Sequence, residues 1–407
     1  MKQRKSVRRR AFRMENLEQR MVLSTAAVVD QVLHIEGDRT DNFIAVGVNE
    51  EGQITVDFDP SDENEPLTFD PEGLTAISID GDRGNDQIVV DLSPLSVEAG
   101  QSLSLTIEGG QGVDSAEVAL PEVIDGELSV NIELGQGNDE AAVVSLNDSV
   151  IGAEGVVTID VDGGQGSDAL SVSLDAAMIE GSLQVTLEGG AGEDSLSLSV
   201  TNSEIGAGAS ISASLEAGPA DDALAVDLSG SMVDPDATVD VNLEGGPGAN
   251  SFDLTLSDAL IEGSVNLNVK GGPHDDAIVL DFSRSELAAD ALLSLHVDGG
   301  PGDDALSIVL NEMLIEGVLE TNFQAGVGDD LLTIEANEGG QIAAGGIVSI
   351  GGDGGPGSDL LDDELLTLTP DDGGELNVDF PLGPEPVPPV ATSLANSVKQ
   401  RFLRLFS

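Results

Sequence analysis

A glycine-rich turn closed by aspartate returns down this chain at a nearly fixed interval, and that periodicity limits the folds open to it. Aligned on the residue that ends each turn, the positions are Asp86, Asp114, Asp139, Asp168, Asp194, Asp222, Asn250, Asp276, Asp304, Asp330 and Asp359, in steps of 25 to 29 residues. A repeat of this length is one supersecondary unit that cannot bury its own apolar face, so the units must stack. An earlier, degenerate copy, IEGDRTDNFIAV at 35–46, resembles IDGDRGNDQIVV at 79–90 and is expected to open the array.

Each unit carries two strand signals. Apolar residues follow the closing Asp at the second, fourth and sixth positions, as in Leu170, Val172, Leu174 and Leu196, Leu198, Val200. A second alternating set precedes the next turn, as in Leu183, Val185, Leu187 and Leu293, Leu295, Val297. Period-two alternation puts one face in and one face out. Between the two sets lies a second corner, often IEGS (Ile179–Ser182, Ile261–Ser264). In the coil of Asp139 the apolar set Ala142, Val144, Leu146 sits one residue late, which predicts a bulge. The expected fold is all-β: a parallel β-solenoid of about 11 coils, with a repeat near 27 residues and two main strands per coil.

The charge of the chain narrows its partners. The 407 residues carry 76 acids and 15 bases, for a formal net charge of −61. Eight of the bases fall in residues 1–24 and three in the last fourteen residues, so residues 25–393 hold four bases against 74 acids, a net of −70. Such a body repels nucleic-acid phosphates and anionic lipid heads and attracts cations. No Cys is present, so there is no disulfide framework, and Trp and Tyr are absent too. No apolar run reaches the length of a spanning helix.

The turns themselves carry a motif. GGQGSDALS (163–171), GGAGEDSLS (189–197), GGPGDDALS (299–307) and GGPGSDLLD (354–362) fit G-G-x-G-x-D-x-U-x with a large apolar U, and GGQGVDSAE (109–117) fits with Ala there. This pattern resembles the hemolysin-type calcium-binding repeat, the RTX motif. Glycine admits positive φ and close backbone approach, and calcium takes six to eight hard oxygens, so peptide carbonyls plus an Asp carboxylate suit it. One turn cannot supply that number, so sites are expected between stacked turns. The resemblance implies Ca2+ ligands at Asp86, Asp114, Asp139, Asp168, Asp194, Asp222, Asp276, Asp304, Asp330 and Asp359. It implies further ligands in the carbonyls of Gly109, Gly112, Gly163, Gly166, Gly189, Gly192, Gly299, Gly302, Gly354 and Gly357. Unlike the family's β-roll, this chain has one motif per coil, so only one edge would carry ions. Leu134, Ala217, Ala220 and Ala325 replace Gly, His274 replaces the third Gly, and Asn250 replaces the acid, where a neutral oxygen predicts a weakened site. Glu193, Asp221, Asp275, Asp303 and Asp329 add a second acid before the closing one.

The ends differ from the body. LEQRMVLS, with Leu17, Glu18, Arg20, Leu23 and Ser24 in place, resembles the LEPR-XLL leader of large bacterial surface and secreted proteins, with Gln19 for the family's Pro and Val22 for a Leu. That resemblance implies export. The domain expectation is a basic leader over 1–30, a solenoid over 31–380, a Pro-rich linker over 381–392 and a basic amphipathic tail over 393–407. In the tail Leu394, Val398, Phe402 and Leu405 share a helical face, which suits a cap or a surface-docking segment.

Catalysis finds little footing. The three His (His34, His274, His296) are scattered, and Arg39, Arg83, Lys270 and Arg284 are the only bases of the body. No nucleophile elbow, P-loop or HExxH occurs, and no carboxylate pair stands apart from the many acids. The expected function is therefore non-enzymatic: an exported, extracellular or cell-surface calcium-binding protein of structural or adhesive role, partnered by calcium and surface or matrix components. Two alternatives remain, a passive acidic solenoid adapted to salt and a β-helical carbohydrate-active enzyme.

Overall fold

The computed structural model describes residues 24–59, 65–336, 339–364, 369–370 and 374–379. All of the leader motif but Ser24, the Pro-rich linker and the basic tail lie outside the described residues. Within them the chain is all-β, with no helix, and winds into a parallel solenoid.

Three sheets run the length of the molecule. Sheet A, of 14 strands, is built from the strand before each turn, for example Ser182–Ala191 and Ser210–Glu216. Sheet B, also of 14 strands, takes the strand after it, for example Ser195–Thr201 and Ala223–Asp227. Sheet C, of 11 strands, is made from the second corner, where pairs such as Met178–Ile179 and Glu204–Ile205 stack in parallel. The corner thus adds a short third strand to the two read from periodicity.

Register follows the alternation. Leu183 pairs with Ile211, Val185 with Ala213 and Leu187 with Leu215 in sheet A. Leu170 pairs with Leu196, Val172 with Leu198 and Leu174 with Val200 in sheet B. These side chains, together with the corner residues Ile151, Ile179 and Ile205, form one continuous core. Each large aliphatic buried there contributes about 1.5–3 kcal/mol. A one-residue slip would turn a whole face outward, so identical coils stay locked in step. In the irregular coil, Glu140 is the extra residue: Asp139 stays in the turn column, and Ala142 and Val144 still pair with Leu170 and Val172.

The N-terminal end is closed by antiparallel pairing. Thr25–Val29 folds back on Val32–Glu36 at the edge of sheet A. Phe43–Val48, Ile54–Asp57 and Leu67–Phe69 form a meander at the edge of sheet B. Both edges are thereby removed as templates for further parallel pairing. The degenerate copy opens the array as expected, with Val32–Glu36 and Phe43–Val48 pairing in parallel with the next coil.

Candidate metal centre: a buried ladder of aspartates

The turn occupies six positions, from the first Gly to the closing acid. Its backbone has positive φ at position 2, as in Gly190 (95°), and in several coils at position 4 as well, as in Gly192 (143°). Position 1 needs no such freedom, which explains why Leu134, Ala217 and Ala325 fit there with their side chains buried in the core. At position 4 the coils differ, and Ala220 (145°) and His274 (104°) are held in a conformation that L-residues avoid. Such strain costs about 1–3 kcal/mol, more than the roughly 0.4–1 kcal/mol that glycine loses through unfolded-state entropy. Ala220→Gly should therefore raise stability by about 1 kcal/mol, read as a higher urea midpoint at unchanged m-value.

The closing acids stack into a ladder inside the turn column. All ten Asp and Asn250 are buried, at 1–3% exposure. The backbone N–H of each rung donates to Oδ1 of the rung in the next coil. The chain of bonds runs unbroken from Asn42 to Asp359 at 2.7–3.2 Å. Asn42, in the degenerate copy, is thus a twelfth rung that the motif does not name.

The second carboxylate oxygen is the unusual one. Oδ2 of Asp86, Asp114, Asp139, Asp168, Asp194, Asp222, Asp276, Asp304 and Asp330 is buried without a hydrogen-bond partner. The two Asn rungs show what surrounds it. Asn250 Nδ2 donates to the carbonyls of Gly246 (3.1 Å), Gly248 (3.2 Å) and, in the next coil, Gly271 (3.3 Å). Asn42 Nδ2 likewise donates to the carbonyls of positions 2 and 4 of its own turn, Asp38 and Thr40. The Asp rungs share this geometry. A Cβ placed on Gly189 would lie 2.8 Å from Asp194 Oδ2 and 2.6 Å from the Ala217 carbonyl of the next coil. On Gly245 it would lie 2.5 Å from Asn250 Nδ2 and 2.8 Å from the Gly271 carbonyl. Each Oδ2 is therefore an acceptor set among acceptors.

That arrangement shifts the acids upward. Burial raises Asp114, Asp139, Asp194 and Asp222 to about 6, Asp276 and Asp330 to about 7 and Asp304 to about 8. The N–H bond from the preceding rung works against the shift, and the charges of neighbouring turns add to it. Asp86 and Asp168 are raised for the same first reason. The shift is largest at Asp276, Asp304 and Asp330, where burial is the leading cause and the acids of neighbouring turns add to it.

Position 5 makes a second, exposed ladder of opposite polarity. Here the N–H of the later coil donates back to the side chain of the earlier one. Examples are Ala249 to Asp221 Oδ1 (2.8 Å), Asp303 to Asp275 Oδ1 (2.9 Å) and Asp329 to Asp303 Oδ1 (2.8 Å). Acids at this position, read from sequence as added charge, thus also hold the turns together. Short Asn and Ser do the same at Asn85, Asn138 and Ser167.

The expected carbonyls fall into place as a set. Position 1 (Gly109, Gly163, Gly189, Gly299, Gly354) faces the rung of the coil before it where that rung's surroundings are seen, as Gly109 does Asp86 and Gly189 does Asp168. Position 4 (Gly112, Gly166, Gly192, Gly302, Gly357) corresponds to the Gly248 acceptor in its own coil. Position 2, not foreseen, joins them through the example of Gly246. Among the described residues no three His, Asp or Glu side chains converge on one point, so a cation here would be held mainly by peptide oxygens. No protein family matches the chain, and no curated protein or solved structure matches it either.

Proposed function

We propose that this is an exported calcium-binding repeat protein with a structural or adhesive role, in which Ca2+ sits between stacked turns and couples to folding. The observation that carries the reading is the row of buried Oδ2 atoms with no donor to meet them. A carboxylate left among carbonyls is costly to bury, and a cation removes the cost. The donor set is all hard oxygen. Oxygens about 3 Å apart are adjacent corners of a shell with metal–oxygen bonds near 2.4 Å, as calcium takes. The set spans two coils, so binding would join coils and stabilise the fold by mass action. The sequence resemblance to hemolysin-type repeats favours the same ion, and the LEPR-XLL-like leader favours export to a bacterial surface.

The adhesive part rests on sheet A. Its outward residues nearest the turn align in register as Glu108, Glu133, Asp162, Glu188, Glu216 and Glu244, a column of acids about 4.8 Å apart. Lys270 is next in the column and pairs with Glu244. A surface of this kind suits cationic or calcium-bridged matrix partners. No helix among the described residues is long and apolar enough to cross a membrane. The role is read as non-catalytic, with His34 in the strand Val32–Glu36, His274 in a turn and His296 in the strand Leu292–Pro301.

Asn42 and Asn250 favour a second reading, a solenoid that needs no specific ion, because they close their rungs with an amide alone. Circular dichroism and thermal melting near neutral pH separate the two. Calcium should raise Tm well above magnesium or sodium at equal ionic strength, and chelator should lower it. Equal melting in all four conditions would leave the ion-free reading.

A further inference from the structure

We infer that Asn250 is an ion-free rung that divides the calcium column into two separate blocks, Asp86 to Asp222 and Asp276 to Asp359. This rests on the calcium reading above and adds a boundary to it. The turn at 245–250, GGPGAN, keeps glycine at positions 1, 2 and 4, so its backbone is a full copy of the motif and only the acid has changed. Its amide is fixed in orientation by what surrounds it. Oδ1 accepts the Asp222 N–H at 3.1 Å, and Nδ2 meets three carbonyls, so a flipped amide would set donor against donor and acceptor against acceptor.

The carbonyls that would ligate an ion are therefore already occupied by the side chain of the rung itself. A cation entering here would displace an NH2 group whose partial charge has its own sign. It would gain no carboxylate in return. The sequence expectation of a weakened site at Asn250 gives way to that of a closed one. Ala249 removes the position 5 acid as well, so this turn carries no charge, between Asp221–Asp222 on one side and Asp275–Asp276 on the other. Those acid pairs are two coil steps apart, roughly 10 Å, about the screening length at 0.1 M salt. Coupling between ions across the gap is weaker than within a block. Asn42 also closes its turn, the first of the array, with its amide, which donates to the Asp38 carbonyl and to Oδ1 of Asp86. The column thus has an amide rung at its start and one within it, bounding blocks of six and four acid rungs.

The test is calcium stoichiometry on the full chain, by isothermal titration with CaCl2 and by native mass spectrometry. Asn250→Asp should bind one more Ca2+ than the wild type, and two calcium-dependent phases should merge into one. Asp222→Asn should bind one fewer, since it widens the gap by a rung, and it keeps the hydrogen bonds that hold the turn. Ala249→Asp, which adds charge outside the buried ladder, should leave the count unchanged. A wild type that binds calcium, with Asn250→Asp and Asp222→Asn both at the wild-type count, would overturn the boundary and leave the calcium reading standing. A wild type that binds none would overturn both.

Discussion

Stripped of divalent cations, the protein should melt at least about 10 °C higher near pH 5 than near pH 8. The cause is the buried ladder. A rung acid whose folded pKa lies above its unfolded value binds more protons in the native state than in the unfolded one. Stability therefore falls as pH rises between those two values. For Asp304 the window runs from the ordinary 3.8 to about 8, and for Asp276 and Asp330 it ends near 7. Below the window both states are protonated, and Oδ2 carries a proton that one of the facing carbonyls can accept. Above it each rung is a carboxylate among carbonyls, and one pKa unit corresponds to about 1.4 kcal/mol. Repulsion between exposed acids acts in the same direction but is screened by salt, whereas the buried rungs are not. The pH dependence should thus survive in high NaCl and vanish in saturating calcium, which takes the proton's place. A metal-free chain with flat or rising Tm across this range would show that the rungs meet a donor unseen here.

The second large effect is expected from Asp304→Asn. Asn250 shows that an amide fits a rung, accepting the N–H of the coil before through Oδ1 and feeding three carbonyls through Nδ2. At Asp304, where burial and, after it, the neighbouring acids Asp276, Asp330 and Asp275 raise the acid to about 8, that amide removes a buried charge and supplies the missing donor. Metal-free stability near pH 8 should rise by about 2 kcal/mol or more, while near pH 5 the change should be small. The gain from calcium should shrink at the same time, because one ion site is lost. Asp304→Ala leaves the Asp276 N–H without its acceptor and should cost about 2–4 kcal/mol near pH 5, and less near pH 8, where it also removes the buried charge. Denaturant melts of the two variants at both pH values decide it. If Asn and Ala behave alike, the ladder is not the determinant.

Most of the architecture was legible because a solenoid repeats its own proof. Leu170, Val172 and Leu174 alternate as Leu196, Leu198 and Val200 do, and any coil checks its neighbours. The late residues after Asp139 even marked the bulge at Glu140. What escaped were features set by one or two residues per coil. Sheet C is only two residues wide, so Ile151, Ile179 and Ile205 gave no alternation to read, though their recurrence before each second corner was visible. The buried serines Ser203 and Ser231, which accept the N–H groups of Ala177 and Ser203 at that corner, recur with Ser149 and Ser285 but alternate with Ala, too thin a signal to stand out. The dual use of each rung acid was hidden too, because a motif names a residue and not its two oxygens. The clue was Asn250 itself. An amide standing in for an acid preserves shape and hydrogen bonding while forfeiting charge, which points to a structural rung as well as a ligand.

The polarity of that ladder gives the solenoid a direction of growth. Every rung N–H waits for the coil that follows it, and never for the one before. A chain emerging N-terminus first carries its closed end, with Thr25–Val29 and the meander over both sheet edges, as a ready seed. Each new coil then docks on a surface whose pending donor its own rung acid satisfies. A front that advances in this sense lengthens the molecule as a ratchet would, one tooth per turn.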